Sequence, residues 1–380
     1  MKIEFIALRE IHMRLKTPFE TSFGVVQDRR ILLVEVVADG VSGWGEVTAG
    51  EAPGYNPETA DTAWHVITDF IAPLFVGKQL ESASECPARM SHIRGHEMAK
   101  AAIENAMWDA EARVKGISLS KLLGGTFNEI ACGVSLGIQK NPAALLTCVE
   151  DELRSGYRRI KLKIKPGKDL EFVAAVRKEH PAIMLSVDAN SAYRLGDTDH
   201  LRKLDEFKLL MIEQPLSWDD IYAHAKLQAQ IQTAICLDEC INNSRHALAA
   251  IEMQACRIIN VKLGRVGGHT EARRMQELCR QRSIPVWCGG MLESGIGRAH
   301  NIAMSTLPGF TLPGDVSASA RYWNEDIIEP EVKVTQQGTI HVPTGPGLGF
   351  SVKRDLIERL TTRSREWDAN RSVGVVAQNR

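Results

Sequence analysis

The segment Arg158-Arg159-Ile160-Lys161-Leu162-Lys163-Ile164 belongs to a series of short, apolar and β-branched runs that recurs along the chain from residue 132 onward. Successive runs begin 24 to 26 residues apart, and a polar, helix-like stretch lies between each pair. A strand, a helix and two loops need about this many residues, and near-continuous apolar strands are typical of a parallel sheet that is covered on both faces. The eight runs are Cys132–Ile138, Arg158–Ile164, Met184–Asn190, Leu209–Pro215, Ala234–Glu239, Ile258–Gly264, Ile284–Gly290 and Phe310–Asp315.

The repeat determines the predicted fold class. Eight equal repeats predict an α/β fold with a (β/α)8-type barrel, that is, a modified TIM barrel. A doubly wound open sheet is the structural alternative. It is disfavoured because no Gly-x-Gly-x-x-Gly follows an early strand.

The segments on either side of the repeats have a different pattern. We predict an α+β capping domain in residues 1–125, the barrel with its metal and catalytic site in residues 126–325, and a C-terminal segment, residues 326–380, that returns to the cap. About the last dozen residues are expected to fray. The predicted cap strands are Ile31–Ala38 and Gly43–Val47, the predicted cap helices are Pro57–Gly77, Ser84–Arg94 and Glu97–Lys115, and the predicted C-terminal elements are a hairpin within Glu329–Val342 and a helix around Lys353–Trp367.

Composition restricts the partners and the compartment. The 380 residues include 46 basic and 47 acidic side chains, so the net charge is −1 and offers no general attraction to nucleic acid or to anionic lipid. The first ten residues contain charges where a signal peptide needs an apolar stretch, and no run approaches the roughly 18 apolar residues of a membrane span. Eight cysteines without a Cys-x-x-Cys pair predict reduced core thiols in a cytoplasmic protein.

Charged residues follow the predicted strands at one end of the barrel, where TIM barrels carry their active sites. Asp188, Glu213 and Asp238 are 25 residues apart, so they project from three adjacent strands toward one point. Three neighbouring carboxylates repel one another and would raise each other's pKa. A hard divalent cation relieves this repulsion, and oxygen-only ligands select Mg²⁺ or Mn²⁺ over zinc. A salt-bridge network of carboxylates and lysines is the alternative.

Lysines flank this carboxylate trio. Lys161 and Lys163 are two apart and point to the same side of the second strand, so each ammonium should depress the other's pKa. Lys262 comes from the sixth strand, across the trio. A ligand held between them would have a lysine on each face, which suits abstraction of a proton α to a carboxylate with the enediolate stabilised by the metal.

At these residues the sequence resembles the enolase superfamily, in its muconate-lactonizing-enzyme subgroup. The resemblance covers nearly the whole chain. Its barrel motifs are Lys161-x-Lys163, Asp188-x-Asn190, Glu213-Gln214-Pro215, Asp238-Glu239 and Lys262-x-Gly264, and its cap motifs are Gly43-Trp44-Gly45-Glu46-Val47 and Ala102-Ile103-Glu104-Asn105-Ala106-Met107-Trp108-Asp109.

Within this subgroup, the segments Gly264-Arg265-Val266-Gly267-Gly268 and Pro285-Val286-Trp287-Cys288-Gly289-Gly290-Met291-Leu292-Glu293-Ser294-Gly295 look like those of o-succinylbenzoate synthases that are related to N-acylamino acid racemases. The resemblance implies Mg²⁺, with Mn²⁺ as a substitute, and a small-molecule carboxylate substrate. It also implies a homo-oligomer and specificity loops near residues 17–24 and 50–56. The implied roles are metal ligation by Asp188, Glu213 and Asp238, general acid/base chemistry by Lys163 and Lys262 with Lys161 beside them, substrate contacts from Ser135, Asn190, Gly290, Met291, Phe19 and Tyr55, and supporting roles for Glu239, Arg265 and Glu293.

Two reactions remain open at this stage. One is dehydration of a cyclohexadiene carboxylate to o-succinylbenzoate, a lyase step of menaquinone biosynthesis. The other is racemisation of N-acylated, notably N-succinylated, amino acids, and one site can catalyse both because the first proton abstraction is shared. A dipeptide epimerase with Asp315 as the receptor of an amino group, a Schiff-base aldolase and a binding protein without catalysis are the remaining alternatives.

Overall fold

The structure is a computed structural model that describes residues 1–370, so most of the segment expected to fray lies outside the described residues. The strands are β1 (Ile3–Glu20), β2 (Val25–Ala38), β3 (Val41–Val47), β4 (Glu129–Ala131), β5 (Gly133–Leu136), β6 (Arg159–Lys163), β7 (Met184–Asp188), β8 (Ile212–Glu213), β9 (Ile235–Leu237), β10 (Ile258–Val261), β11 (Val286–Cys288), β12 (Ile328–Glu329), β13 (Thr339–His341), β14 (Ser351–Val352) and β15 (Thr361–Asp368).

Helices of very different length connect and cover these strands. They are α1 (Ala60–Val66), α2 (Cys86–Arg89), α3 (Glu97–Val114), α4 (Leu119–Leu123), α5 (Pro142–Arg154), α6 (Leu170–Glu179), α7 (Thr198–Arg202), α8 (Ile221–Gln228), α9 (Ser244–Glu252), α10 (Leu263–Val266), α11 (His269–Gln281), α12 (Gly295–Ser305), α13 (Ser319–Tyr322) and α14 (Arg354–Leu360). None of the helices in residues 1–370 combines the length and the apolar character that crossing a bilayer requires.

The cap is built on an antiparallel sheet with the order β15-β1-β2-β3. β1 was not predicted, and the terminal helix was predicted too long: α14 ends at Leu360 and the chain continues as β15, which pairs with β1. The predicted hairpin within Glu329–Val342 is also wrong, because β12 pairs with β14 and β13 pairs with β4. In each case pairing with a distant segment determines the structure more than the local sequence does.

Helix α3 packs across this sheet with almost every side chain buried. Gly43 and Gly45 of β3 make the close approach possible, because a Cβ atom at either position would collide with the α3 backbone at Ala106 or Ala102. Glu58 accepts hydrogen bonds from the first-turn amides of Met98 and Ala99 at 2.9 and 3.1 Å, which satisfies donors that the helix itself leaves free. The predicted helix from Pro57 is divided into α1, a π-helical turn and a 3-10 turn.

The barrel strands lie in one parallel sheet with the order β11-β10-β9-β8-β7-β6-β5. The eighth predicted strand is not regular. Instead, two single bridges close the barrel. Gly314 pairs with Cys132, the residue directly before β5, and Phe310 pairs with Val286 of β11. Side-chain N-caps mark where outer helices begin. At the start of α5, for example, Asn141 Oδ1 accepts a hydrogen bond from Ala144 N.

The barrel interior is filled by side chains. Trp287, Met211, Cys236 and Ile258 form a buried cluster inside the sheet. All eight cysteines are free thiols, and all but the half-buried Cys148 are buried. The filled barrel therefore supports, from below, the polar groups at the carboxyl ends of its strands.

Candidate active site

The strand register brings the three predicted carboxylates side by side. Lys163 of β6 is the register partner of Asp188, and Asp188 is the partner of Glu213. Glu213 is in turn the partner of Cys236, two residues before Asp238. The three carboxylates are fully buried at 0% exposure, at the carboxyl ends of β7, β8 and β9.

Each lysine is bound to this trio. Lys161 Nζ lies 2.7 Å from Glu213 Oε2 and 3.3 Å from Asp188 Oδ2. Lys163 Nζ donates to Asp188 Oδ2 at 2.6 Å and to Asn190 Oδ1 at 2.7 Å. From the other side, Lys262 Nζ donates to Asp238 Oδ2 at 2.8 Å. Because β6 and β10 flank β7, β8 and β9 in the sheet, these lysines approach the trio from opposite sides.

This pairing changes two pKa expectations. Burial alone would lower the pKa of Lys161, but the carboxylates of Asp315, Glu213 and Asp188 outweigh burial and raise it. The net shift in the pKa of Lys161 is therefore upward and not downward as expected. Asp188 was expected to titrate high; burial acts in that direction, yet the neighbouring lysines lower its pKa to about 2.

Lys262 is enclosed by cap and barrel together. Its Nζ lies 4.4 Å from the centre of the Tyr55 ring, and the Tyr55 hydroxyl donates to Asp238 Oδ1 at 2.9 Å. Arg265 also pairs with Asp238 and donates to the Tyr55 hydroxyl at 3.1 Å. Burial would lower the pKa of Lys262, but the facing Tyr55 oxygen and the carboxylates of Glu213 and Glu239 raise it.

Asn190 connects Lys163 and Asp188 with Glu239. Its side chain accepts from Lys163 and donates to Glu239 Oε1 at 3.1 Å, while its backbone amide donates to Asp188 Oδ1 at 3.0 Å. Burial, followed by the charge of Asp188, raises the pKa of Glu239 to about 7. Glu239 Oε2 is buried and has no hydrogen-bond partner within residues 1–370. Glu239 is therefore connected to Lys163 by two hydrogen bonds, through the Asn190 side chain.

The predicted substrate contacts line two cavities above these groups. A small cavity of about 50 Å³ contacts Phe19, Ser135, Gly290 and Glu293 together with the three lysines. Ser135 Oγ is buried there without a hydrogen-bond partner in the described chain. A larger cavity of about 570 Å³ lies under the cap and is lined by Phe19, Tyr55, Asn190, Gly290 and Met291 together with Lys163 and Lys262.

The loop after β11 has little steric freedom. A Cβ atom on Gly290 would lie 2.8 Å from the Asp315 carbonyl oxygen, so a larger residue would displace the loop. Glu293 Oε1 accepts from Met291 N at 2.8 Å and from Asn301 at 2.9 Å, which fixes the loop to α12. One expectation is corrected: Phe19 belongs to β1, paired with Val26 of β2, and not to a loop.

Asn260 and Trp287 were not predicted as site residues, and the ion pairs of Asp315 were not predicted either. Asn260 donates to Glu213 Oε1 at 2.8 Å, and its position two residues before Lys262 on β10 was an available signal. Asp315 forms ion pairs of 2.7 Å with both Lys161 and Arg159. Trp287 lies beneath this pair, with its ring centre 4.7 Å from Lys161 Nζ. The ion pairs of Asp315 depend on side-chain geometry that no sequence pattern indicates.

The carboxylate trio suits a hard divalent cation by its chemistry. It offers only oxygen donors, its members are adjacent and buried, and Asn190 and Glu239 add further oxygens nearby. Within residues 1–370, no three His, Cys, Asp or Glu side chains form a ready-made metal cage, because the trio's oxygens face lysines and an arginine. The donor set therefore fits a divalent cation by its chemistry, and a cation would compete with these lysines and this arginine for the carboxylate oxygens.

Comparison with known families agrees with the fold. Residues 2–124 match the N-terminal domain of the mandelate racemase / muconate lactonizing enzyme family, and residues 144–356 match the enolase C-terminal domain-like family. The chain belongs to this family, in the enolase superfamily, with an N-terminal capping domain and a (β/α)8-type barrel.

Curated relatives of two activities match almost end to end. An o-succinylbenzoate synthase of Geobacillus stearothermophilus is 52% identical over 362 residues, which cover 95% of this chain and 96% of that protein. An N-succinylamino acid racemase of an Amycolatopsis species is 46% identical over 363 residues, covering 95% and 98%. A solved enolase superfamily member from Listeria innocua superposes with a TM-score of 0.94 at 41% identity, covering 97% of this chain and all of that one.

Proposed function

We propose that this chain abstracts the proton α to a substrate carboxylate and that its main reaction is the dehydration that forms o-succinylbenzoate. The single observation that carries the proposal is the pair Lys163 and Lys262. Both line the cavity of about 570 Å³, and they approach the carboxylate trio from opposite sides. The name of the 52% identical Geobacillus relative supports the choice of dehydration.

The two lysines have different roles in this proposal. Lys163 removes the α-proton, since its Nζ lies at the mouth of β6 with Asn190 and Asp188 fixing its position. Lys262 stays a cation on the other face, where it stabilises the negative charge that develops on the substrate. Lys161 is held by three carboxylates, so it acts as a fixed cation that attracts the substrate carboxylate.

We propose Asp188, Glu213 and Asp238 as the ligands of Mg²⁺, with Mn²⁺ as a substitute. When bound, the cation supplies a positive charge that lowers the free energy of negative charge on the carboxylate oxygens of the substrate. Other side chains of the protein hold the three ligands in position. Arg265 and Tyr55 hold Asp238 in place, Asn260 holds Glu213, and Asn190 holds Asp188.

Racemisation of N-succinylamino acids is the second candidate. The same two-sided arrangement favours it, because one lysine can remove the α-proton while the other returns a proton to the opposite face. The Amycolatopsis relative carries this name. A dipeptide epimerase is disfavoured, since Asp315 is already bound to Lys161 and Arg159 and is not available for an amino group.

The wider assignments follow from the proposed reaction. We propose residues 1–125, with segments 17–24 and 50–56, as the specificity cap, residues 126–325 as the catalytic barrel, and the chain from residue 326 onward as the segment that returns to the cap. We also propose a cytoplasmic homo-oligomer that acts in menaquinone biosynthesis on a small carboxylate.

The experiment is an ultraviolet-monitored dehydration of the cyclohexadiene precursor, run with Mg²⁺ and again after EDTA treatment. Fast turnover that EDTA abolishes and Mg²⁺ restores is the expected result. Polarimetry on N-succinylamino acids then measures the second activity in the same preparation. Folded, Mg²⁺-loaded protein without dehydration contradicts the synthase proposal, and turnover that is insensitive to EDTA but trapped by borohydride would point to Schiff-base chemistry instead.

A further inference from the structure

Arg29 is a buried cation without an ion-pair partner among residues 1–370. It lies on β2 with 6% of its surface exposed. Its Nε is buried without a hydrogen-bond partner, no hydrogen bond of its Nη1 is seen within residues 1–370, and its Nη2 reaches only the Met291 carbonyl oxygen at 3.5 Å. The carboxylates of Glu46, Glu293 and Glu51 attract the guanidinium from beyond ion-pair distance. The buried Nε still lacks a hydrogen-bond acceptor, which is unfavourable unless a ligand supplies one.

The other buried arginines differ from Arg29 in this respect. Each has a carboxylate as its ion-pair partner. The pairs are Arg159 with Asp315, Arg265 with Asp238, and Arg298 with Asp326. Among the buried arginines of the described part of the chain, the missing partner is therefore specific to Arg29.

Arg29 also lines the cavity of about 570 Å³ that contains the reactive lysines. The cations that line this cavity are Arg29, Lys163 and Lys262, and both lysines are paired with carboxylates of the trio. Arg29 is thus the cation in this cavity whose donors remain free for an anion. An arginine fork suits a carboxylate, because two parallel N–H groups match its two oxygens.

The substrates of both candidate reactions carry two carboxylates. One lies next to the reacting carbon, and the other ends the succinyl arm. In the proposed function, Lys161 and the cation held by the trio bind the carboxylate next to the reacting carbon. Resting on the proposed function, we propose that Arg29 is the cap residue that binds the succinyl carboxylate and thereby selects dicarboxylate substrates over monocarboxylate ones.

Direct binding tests this proposal. Calorimetry with Mg²⁺-loaded protein would compare o-succinylbenzoate with 2-butanoylbenzoate, in which a methyl group replaces the succinyl carboxylate. We expect the wild-type protein to bind o-succinylbenzoate roughly ten- to a hundredfold more tightly, the range for a charge-assisted hydrogen bond. Arg29→Met should remove this preference and leave the binding of 2-butanoylbenzoate within about threefold.

Two further variants separate recognition from structural support. Arg29→Lys keeps the charge and should retain part of the preference. Arg30→Met removes the next arginine of β2, which pairs with Glu10 and Asp61 away from the cavity, and should keep the full preference. In the dehydration assay Arg29→Met should raise KM roughly ten- to a hundredfold with little change in kcat.

The outcomes also separate this proposal from the proposed function. A wild-type protein that does not prefer o-succinylbenzoate would overturn the role of Arg29 even if no Arg29 variant folds. An Arg29→Met protein that weakens both ligands equally would do the same, because it would show a structural role. Wild-type protein that discriminates between the ligands but catalyses neither dehydration nor racemisation would contradict the proposed function alone.

Discussion

Lys163 and Lys262 lie on opposite sides of the three strands that carry Asp188, Glu213 and Asp238, and both side chains reach the same cavity. A planar, deprotonated α-carbon held between them would have one potential proton donor on each face. A lysine on each face is what racemisation needs, whereas elimination needs a base on one face only. The role of each lysine can therefore be tested separately.

Exchange of the α-proton into D2O should separate the faces. With N-succinylamino acids, Lys163→Ala and Lys262→Ala should both lose racemisation by a factor of roughly 10³ or more. Each variant should still exchange the α-proton of one enantiomer, and the two variants should differ in which enantiomer they exchange. Proton NMR measures this exchange directly. Full dehydration turnover by Lys163→Ala would show that Lys163 is not the base.

Metal binding should depend on the carboxylate trio. We expect Mg²⁺ to raise the melting temperature of the wild-type protein, because a ligand of the folded state stabilises it by mass action. Asp188→Asn, Glu213→Gln and Asp238→Asn should each abolish this increase and the calorimetric signal of Mg²⁺ binding. Asp197→Asn, at the end of the 3-10 turn that precedes α7, is the control and should bind Mg²⁺ like the wild type. Unchanged Mg²⁺ binding by the three variants would favour a pure salt-bridge network.

Asp315 should act by holding Lys161. It forms ion pairs of 2.7 Å with Lys161 and Arg159, and both cations are buried. Asp315→Asn leaves these cations without that partner, so we expect a loss of about 3–5 kcal/mol in the free energy of unfolding together with a lower kcat. Urea denaturation and the dehydration assay measure the two effects.

A matched control separates these effects. Asp109 is more deeply buried than Asp315 and pairs with Arg113 at 3.0 Å in the cap, away from the lysines. Asp109→Asn should destabilise the protein while kcat remains near the wild-type value. Equal losses of kcat in both variants would show that Asp315 contributes only stability.

The barrel and its reactive groups could be predicted because both follow from the 25-residue repeat. Parallel strands end at one edge, so charged residues at equal positions in successive repeats had to meet, as Lys163, Asp188 and Glu213 do in the register. The eighth run was less regular than its sequence indicates, since only single bridges attach it to its neighbours.

The cap could be predicted only in part because its sheet depends on pairing between distant residues. β1 interleaves charges with apolar residues and pairs with β15 more than 350 residues later, as at Ile6 and Trp367. Local periodicity contains no information on such a partner. The pKa of Lys161 was mispredicted for a similar reason, since the carboxylates of Asp315 and Glu213, both 2.7 Å from its Nζ, come from distant parts of the chain.

Glu104 should make stability depend on pH. Burial raises its pKa to about 7 from an ordinary 4.5, although Trp108 Nε1 and Thr270 N donate to its Oε1 at 3.1 and 3.0 Å. A carboxyl group with a raised pKa in the folded state favours folding below pH 4.5, and this contribution is lost as the pH rises through 7. We therefore expect Glu104 to destabilise the protein at pH 8 relative to pH 5 by roughly 1–3 kcal/mol.

Glu104→Gln tests this expectation because glutamine keeps an acceptor for Trp108 and Thr270 but cannot ionise. Urea denaturation at pH 5 and pH 8 gives the change in unfolding free energy for each protein. The change should be smaller in Glu104→Gln by roughly 1–3 kcal/mol, while Glu150→Gln, at an exposed position on α5, should behave like the wild type. An identical pH dependence in wild type and Glu104→Gln would mean that the Glu104 carboxyl group titrates normally despite its burial.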